Sequence, residues 1–129
     1  MRFDDIRKMV EKDMVIDDSE LDLESLKIPQ LHNKYLNLFH DERILLRKLE
    51  VERRELIRDK WEYYSGKMSE EELARREWEP FQLKVLKQDL DMYIQSDSDV
   101  TKIDDRITLQ IEKVDYLAYI VKSISGRGW

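Results

Sequence analysis

The sequence predicts an all-α protein: an elongated helical domain with one long central helix, short N-terminal helices and a heptad-bearing C-terminal helix, forming an oligomeric helical bundle. Three observations predict it. Of 129 residues, 40% are charged and 41% hydrophobic, with only three Gly and two Pro, a profile of long helices with solvated faces and few turns. Between Gln30 and Ser65 no Gly or Pro interrupts a run rich in Leu, Glu, Arg and Lys, all strong helix formers. Residues 98–125 carry apolar side chains at heptad spacing, the pattern of a helix that pairs with another helix. A chain with so much apolar stripe and so few turns completes its core with a partner, so a homo-oligomer is expected.

The elements follow in order within one expected domain, residues 1–129. Residues 1–28 read as acidic N-terminal helices. Phe3, Ile6, Val10 and Met14 recur at steps of three and four, and Asp17, Asp18 or Ser19 can cap a second short helix carrying Leu21, Leu23 and Leu26. Pro29 ends that helix or opens the next. Residues 30–66 read as a long basic helix, with Gly66 where a left-handed C-terminal cap belongs.

Ser69 with Glu72 forms a capping box that starts a helix over residues 69–96, kinked or restarted at Pro80. Phe81, Val85, Leu86, Leu90 and Ile94 mark its apolar stripe, and the run Ser96-Asp97-Ser98-Asp99 is the next turn and cap. In the C-terminal helix, residues 98–125, Val100, Ile107, Val114 and Val121 take one core position, and Ile103, Gln110, Leu117 and Ile124 take the other. The apolar members of these two sets, Val100, Ile103, Ile107, Val114, Leu117, Val121 and Ile124, are the expected oligomerisation residues.

Several chemistries are set aside by composition. The absence of Cys removes disulfides, thiol catalysis and thiolate metal sites and favours an intracellular, cytoplasmic setting. The N-terminus lacks the apolar core of a secretory signal, and no run approaches the roughly 20 apolar residues of a membrane span. Gly66-Lys67 resembles the end of a phosphate-binding loop, but Trp61 and Met68 stand where that loop needs a glycine and a hydroxyl. His32 and His40 lack metal-ligand spacing, and Asp97, Asp99, Asp104 and Asp105 lack the glycine and glutamate of a calcium loop. No enzyme, cofactor or metal site is expected.

Charge is unevenly distributed. The chain carries net charge −6, yet residues 43–67 hold eight cations against five carboxylates, while residues 1–26 and 68–99 each hold nine carboxylates against four cations. Within the basic block, successive residues turn by about 100° around the helix, so Leu31, Tyr35, Leu38, Leu45, Leu49, Leu56 and Tyr63 share one packing arc. Arg43, Arg47, Arg54 and Arg58 share a different side, and Trp61 continues their line. Such a row can be a solvated face neutralised by Glu50 and Glu62. It can also grip phosphates in forks and stack on bases, which arginine does better than lysine. Arg53 and Lys60 fall inside the packing arc, where each can snorkel outward, pair with an acid of another helix, or mark the edge of a ligand surface.

Lys34-Tyr35-Leu36-Asn37, the segment Arg58-Asp59-Lys60-Trp61-Glu62-Tyr63-Tyr64-Ser65-Gly66-Lys67, the opening Asp13-Met14-Val15-Ile16-Asp17 and the closing Arg127-Gly128-Trp129 together resemble UvsY, the recombination mediator family of large tailed phages. The sharpest part is Tyr63-Tyr64-Ser65-Gly66 followed by a basic residue. The resemblance implies a non-enzymatic helical homo-oligomer that binds single-stranded DNA, contacts the phage recombinase and the single-strand-binding protein, and works in the host cytoplasm if phage-encoded. It also implies DNA-supporting roles for the two basic residues before the paired tyrosines, here Arg58 and Lys60. Family members continue past the Arg-Gly-aromatic element with an amphipathic assembly segment, so this chain is expected to be a shorter variant or one whose end has been removed.

The expected DNA-binding set is thus Arg58, Lys60, Arg54, Arg47, Arg43, Trp61 and Lys67. The expected function is mediation: binding single-stranded DNA and promoting recombinase loading on strands covered by single-strand-binding protein. The alternative is a structural helical assembly protein that binds no nucleic acid and uses its arginines for salt bridges.

Overall fold

The computed structural model describes residues 1–15, 21–81 and 83–126, with side chains described outside 21–26. The expected cap at Asp17, Asp18 or Ser19, the side chains of Leu21, Leu23 and Leu26, and the closing Arg127-Gly128-Trp129 lie outside the described residues. The elements in order are α1 (Phe3–Asp13), α2 (Leu21–Tyr64), α3 (Glu70–Arg76), a 3₁₀ turn (Lys87–Asp89), α4 (Leu90–Gln95) and α5 (Ser98–Ser125). No strand occurs among the described residues, in keeping with the all-α expectation. Among them, no helix is long and apolar enough to cross a membrane.

Helix α2 runs 44 residues with Pro29 inside it, whereas the sequence suggested a break there. A proline in a helix interior removes one backbone hydrogen bond and costs about 3 kcal/mol. Tertiary burial offsets it here, because Ile28 and Leu31 on either side of the proline pack against a buried core. At the far end, Gly66 takes φ +77, and the Gly66 and Lys67 amides donate back to the Tyr63 and Glu62 carbonyls at 3.2 and 2.9 Å. This is the left-handed cap that the sequence predicts.

The chain divides into two compact units, Met1–Leu45 with Gln110–Trp129, and Leu46–Leu109. Helices α2 and α5 each supply a segment to both.

In the first unit, α1 and the flanking segments of α2 and α5 bury Ile6, Val10, Tyr35, Leu117, Ile120 and Ile124, with Met9, Leu38, Phe39, Tyr116 and Val121 packed against them. Most polar groups inside are hydrogen-bonded, and buried Glu42 Oε1, which accepts no hydrogen bond, is held by ion pairs alone. Tyr35 donates its hydroxyl to Asp13 at 2.8 Å, Gln110 donates its amide to the Glu42 carbonyl at 2.8 Å, and Lys113 Nζ lies 3.3 Å from Glu42 Oε1. Gln110, the polar member of the heptad, therefore ties α5 to α2.

In the second unit, α3 is shorter than the sequence suggested. Ser69 caps it by accepting from the Glu72 amide at 3.2 Å, as the capping box predicts, but Glu77 turns left-handed at φ 59 and ends the helix. Residues before a proline disfavour helix, and Pro80 follows closely. Phe81 enters an aromatic cluster with Tyr63, Tyr64 and Tyr93, while Leu83 and Leu86 are exposed, so the expected stripe over residues 69–96 is not one helical face.

The heptad of α5 is already filled within the chain. Val100 and Ile103 are buried and Ile107 half-buried in the second unit, while Val114, Leu117 and Ile124 are buried and Val121 half-buried in the first. Five of the seven residues expected to pair subunits are therefore buried within the chain, and Ile107 and Val121 keep part of their surface. Heptad spacing shows that a helix pairs, but it carries no information on whether the partner helix belongs to the same chain.

Candidate nucleic-acid interface

The C-terminal half of α2 sorts its cations by face. Arg53, on the packing side, donates from Nε to Asp104 of α5. Arg106 of α5 reaches back to within 3.9 Å of Glu52. Asp99 and Asp104, which composition alone placed among candidate calcium ligands, are thus ion-pair partners of α2. Among the described residues, no group of three His, Cys, Asp or Glu side chains is arranged to hold a metal.

The outer face is different. Arg47 and Arg54 are exposed and make no ion pair among the described residues, so Glu50 does not neutralise Arg54 as a simple solvated-face reading expects. The Arg58 side chain is 82% exposed and only loosely associated with Glu62, at 3.8 Å. Trp61 follows one turn later, 39% exposed, with Lys67 Nζ 4.6 Å above its ring. Part of the indole surface is thus open to solvent, and the ring carries a cation. Arg43 stands in the first unit, exposed, with its guanidinium 5.4 Å over the Phe39 ring.

Lys60 is not on this surface. It is 5% exposed, with its ammonium 2.9 Å from Asp99 Oδ2, 3.2 Å from Asp97 Oδ2 and 3.9 Å above the centre of the Trp78 ring. Of the three fates that its position in the packing arc allowed, pairing with acids of another element is the one observed. Asp97 is itself the N-cap of α5, accepting from the Asp99 and Val100 amides at 2.8 and 3.3 Å, and it also accepts from the Tyr64 hydroxyl at 2.6 Å. Burial works against ionisation of Asp97, but hydrogen bonds from Tyr64 and Lys60, the Lys60 charge and the Val100 amide outweigh it and hold the carboxyl below its ordinary value. Burial, and then the bond to Asp97, push the Tyr64 hydroxyl upward, so it stays a donor.

Arg75 and Arg76 of α3 add cations that the sequence reading did not single out. With Glu55, Arg58, Asp59 and Glu62 of α2 and Glu72 of α3 they line an open cleft of about 380 Å³. Three guanidiniums face four carboxylates there, and Arg76 is held by Asp59 at 2.8 Å. The cleft is therefore a near-neutral ionic joint between α2 and α3, with one carboxylate in excess. Trp78, which shields Lys60, was equally unmarked in sequence, because its signal is a fold-back after α3 that no local pattern encodes: its amide donates to the Leu73 carbonyl at 3.0 Å.

Comparison with known proteins places the chain by sequence and fold. The recombination protein UvsY of Enterobacteria phage T4 is 23% identical over 129 residues, covering 100% of this chain and 89% of the phage protein. Crystal structures of the bacteriophage T4 recombination mediator protein UvsY share the fold. In lattice type IV the TM-score is 0.84 at 22% identity, over 99% of this chain and 90% of the other. In lattice type II it is 0.82 at 23% identity, over 99% and 88%. The family model described as recombination, repair and ssDNA binding protein UvsY matches residues 9–129, nearly the whole sequence, and the chain belongs to the UvsY family.

Proposed function

We propose that this protein is a recombination mediator that holds single-stranded DNA on the outer face of α2 in the second unit. Arg47, Arg54 and Arg58 contact phosphates, Trp61 is a stacking platform, and Lys67 sits beside it. The observation that carries this reading is the sorting of cations on α2. Inward Arg53 and Lys60 are neutralised by α5, whereas outward Arg47 and Arg54 have no carboxylate partner among the described residues. Unpaired like charges along one face repel, and a polyanion relieves that repulsion while releasing its counterions. From Arg47 to Arg58 the row spans about 16 Å of helix, enough for several nucleotides. A purely structural protein would be expected to spend these arginines on salt bridges, as it spends Arg53 and Arg76.

Bound in this way, the protein promotes loading of a recombinase onto strands covered by single-strand-binding protein, and it contacts both proteins. Self-association belongs to the same reading, because several copies multiply weak phosphate contacts into avidity. A second copy would meet the half-buried heptad members Ile107 and Val121 together with exposed apolar residues of α5 such as Ile111 and Tyr119.

Titration of a labelled single-stranded oligonucleotide at several salt concentrations tests the reading. Affinity is expected to fall steeply with salt. Arg54→Glu with Arg58→Glu is expected to flatten the logarithmic slope by about 0.7 per lost phosphate contact, with helicity unchanged. No binding by the unmodified protein at low salt overturns it.

A further inference from the structure

Lys60 carries a positive charge next to the exposed row, yet its side chain is 6% exposed and faces away from that row. Its ammonium has two carboxylates within 3.2 Å and the Trp78 ring beneath it at 3.9 Å. For this ammonium to reach a phosphate, it would have to leave both carboxylates and uncover the ring, stranding Asp97 inside the protein.

The groups around Lys60 come from two of the segments packed on the end of α2: the start of α5 and the stretch after α3. Asp97 and Asp99 form the start of α5, and Asp97 is the cap on which the first turn of that helix depends. Trp78 follows α3, and its ring packs on Tyr63, which donates its hydroxyl to the Glu79 carbonyl at 2.6 Å. Tyr64 reaches the same Asp97 oxygen that Lys60 approaches. One ammonium thus holds the α5 N-terminus and the segment after α3 against the turn of α2 that displays Arg58 and Trp61.

We infer that Lys60 is a positioning residue for the DNA surface: by neutralising Asp97 and Asp99 beneath the last turns of α2 it holds Arg58 and Trp61 in place, and it makes no contact with DNA itself. This rests on the DNA-binding reading above. It gives Arg58 and Lys60, adjacent basic positions in one motif, opposite jobs.

A double-mutant cycle separates the roles. Binding of a labelled single-stranded oligonucleotide is measured across salt for the unmodified protein, Lys60→Met, Asp99→Asn and the double variant, with helicity recorded for each. If Lys60 positions, Lys60→Met weakens binding about tenfold when Asp99 is present and less than about threefold in the Asp99→Asn background, where one stranded charge has been removed. The salt slope then stays that of the unmodified protein in the double variant. If Lys60 touches phosphate, the loss is the same in both backgrounds and the slope falls by about 0.7 in each, which overturns the inference while leaving DNA binding intact. Should Lys60→Met alone fail to fold, Lys60→Gln, which keeps a donor toward Asp97, replaces it in the same cycle under the same criteria. No binding by the unmodified protein overturns the functional reading and this inference together.

Discussion

The Tyr64 hydroxyl donates to Asp97 Oδ2 at 2.6 Å and so fastens the last turn of α2 to the cap of α5. The bond is short, its acceptor is ionised, and Asp97 is buried, which places it among the stronger hydrogen bonds. Tyr64→Phe keeps the ring in its edge-on packing with Phe81 and removes only the donor. The expected cost is about 1.5–3 kcal/mol by urea denaturation, and an unchanged midpoint would show that Lys60 alone satisfies the carboxylate.

Asp97 also makes stability depend on pH. Its folded carboxyl lies below the ordinary value of 3.8, so the unfolded chain binds the proton more readily. Its contribution is therefore present in full above that value and is lost as pH falls through it toward the folded value. Asp13 in the first unit behaves in the same sense: burial opposes ionisation, but hydrogen bonds from Lys34 and Tyr35 and the charges of Lys34 and Lys12 outweigh it. Asp97→Asn retains the capping oxygen while removing the charge. Thermal melts of this variant and the unmodified protein should differ at neutral pH and converge in acid; a constant difference would mean that the carboxyl is not depressed.

In the first unit, Glu42 is 2% exposed and faces Lys113 at 3.3 Å. Glu42→Ala removes the carboxylate and leaves the lysine ammonium in a largely dry site, an outcome expected to cost about 3–5 kcal/mol. Glu42→Leu with Lys113→Met should recover much of that loss, since it removes the carboxylate with its buried lysine and leaves only the more exposed Met1 ammonium, 3.8 Å from Glu42 Oε1, without its partner. Denaturation midpoints of the three variants decide it, and a double variant no better than Glu42→Ala would count against a buried ion pair.

The filled heptad changes what its mutation does. Leu117 is wholly buried and part of the core of the first unit, so Leu117→Ala should cost about 2–5 kcal/mol and Val114→Asp should unfold that unit. A surface seam between subunits would respond differently, with smaller species that keep their helicity. Circular dichroism and sedimentation measured on the same samples distinguish the two.

Gly66 has nothing within 4 Å of where a Cβ would stand, so Gly66→Ala meets no clash. Its φ of +77 still penalises a side chain, and a loss of about 1 kcal/mol is expected from backbone conformation alone. A stabilised variant would show that the helix end relaxes out of its left-handed cap.

Local chemistry is what the sequence carried well. The helical class, the stop at Gly66, the capping box at Ser69 and the inward placement of the α5 heptad all depend on propensity, φ preference and spacing within a few residues. The exposed arginine row was legible for the same reason, because helical periodicity separates faces. The motif Arg58–Lys67 was legible as a resemblance, and through it the family.

Long-range pairing is what only the tertiary structure decided. Lys60 read as one more cation in a basic motif, and its burial follows from Asp97 and Asp99, which lie 37 and 39 residues away in the chain. Helix α2 continues through Pro29 because Ile28 and Leu31 find a core to bury in, and α3 ends at Arg76 because Trp78 and Phe81 find the tyrosines of α2. Most of the α5 heptad is buried against other parts of the same chain. In each case periodicity indicates that a face will be buried, but the energy of burial depends on which surface arrives, and that is settled when the elements pack together.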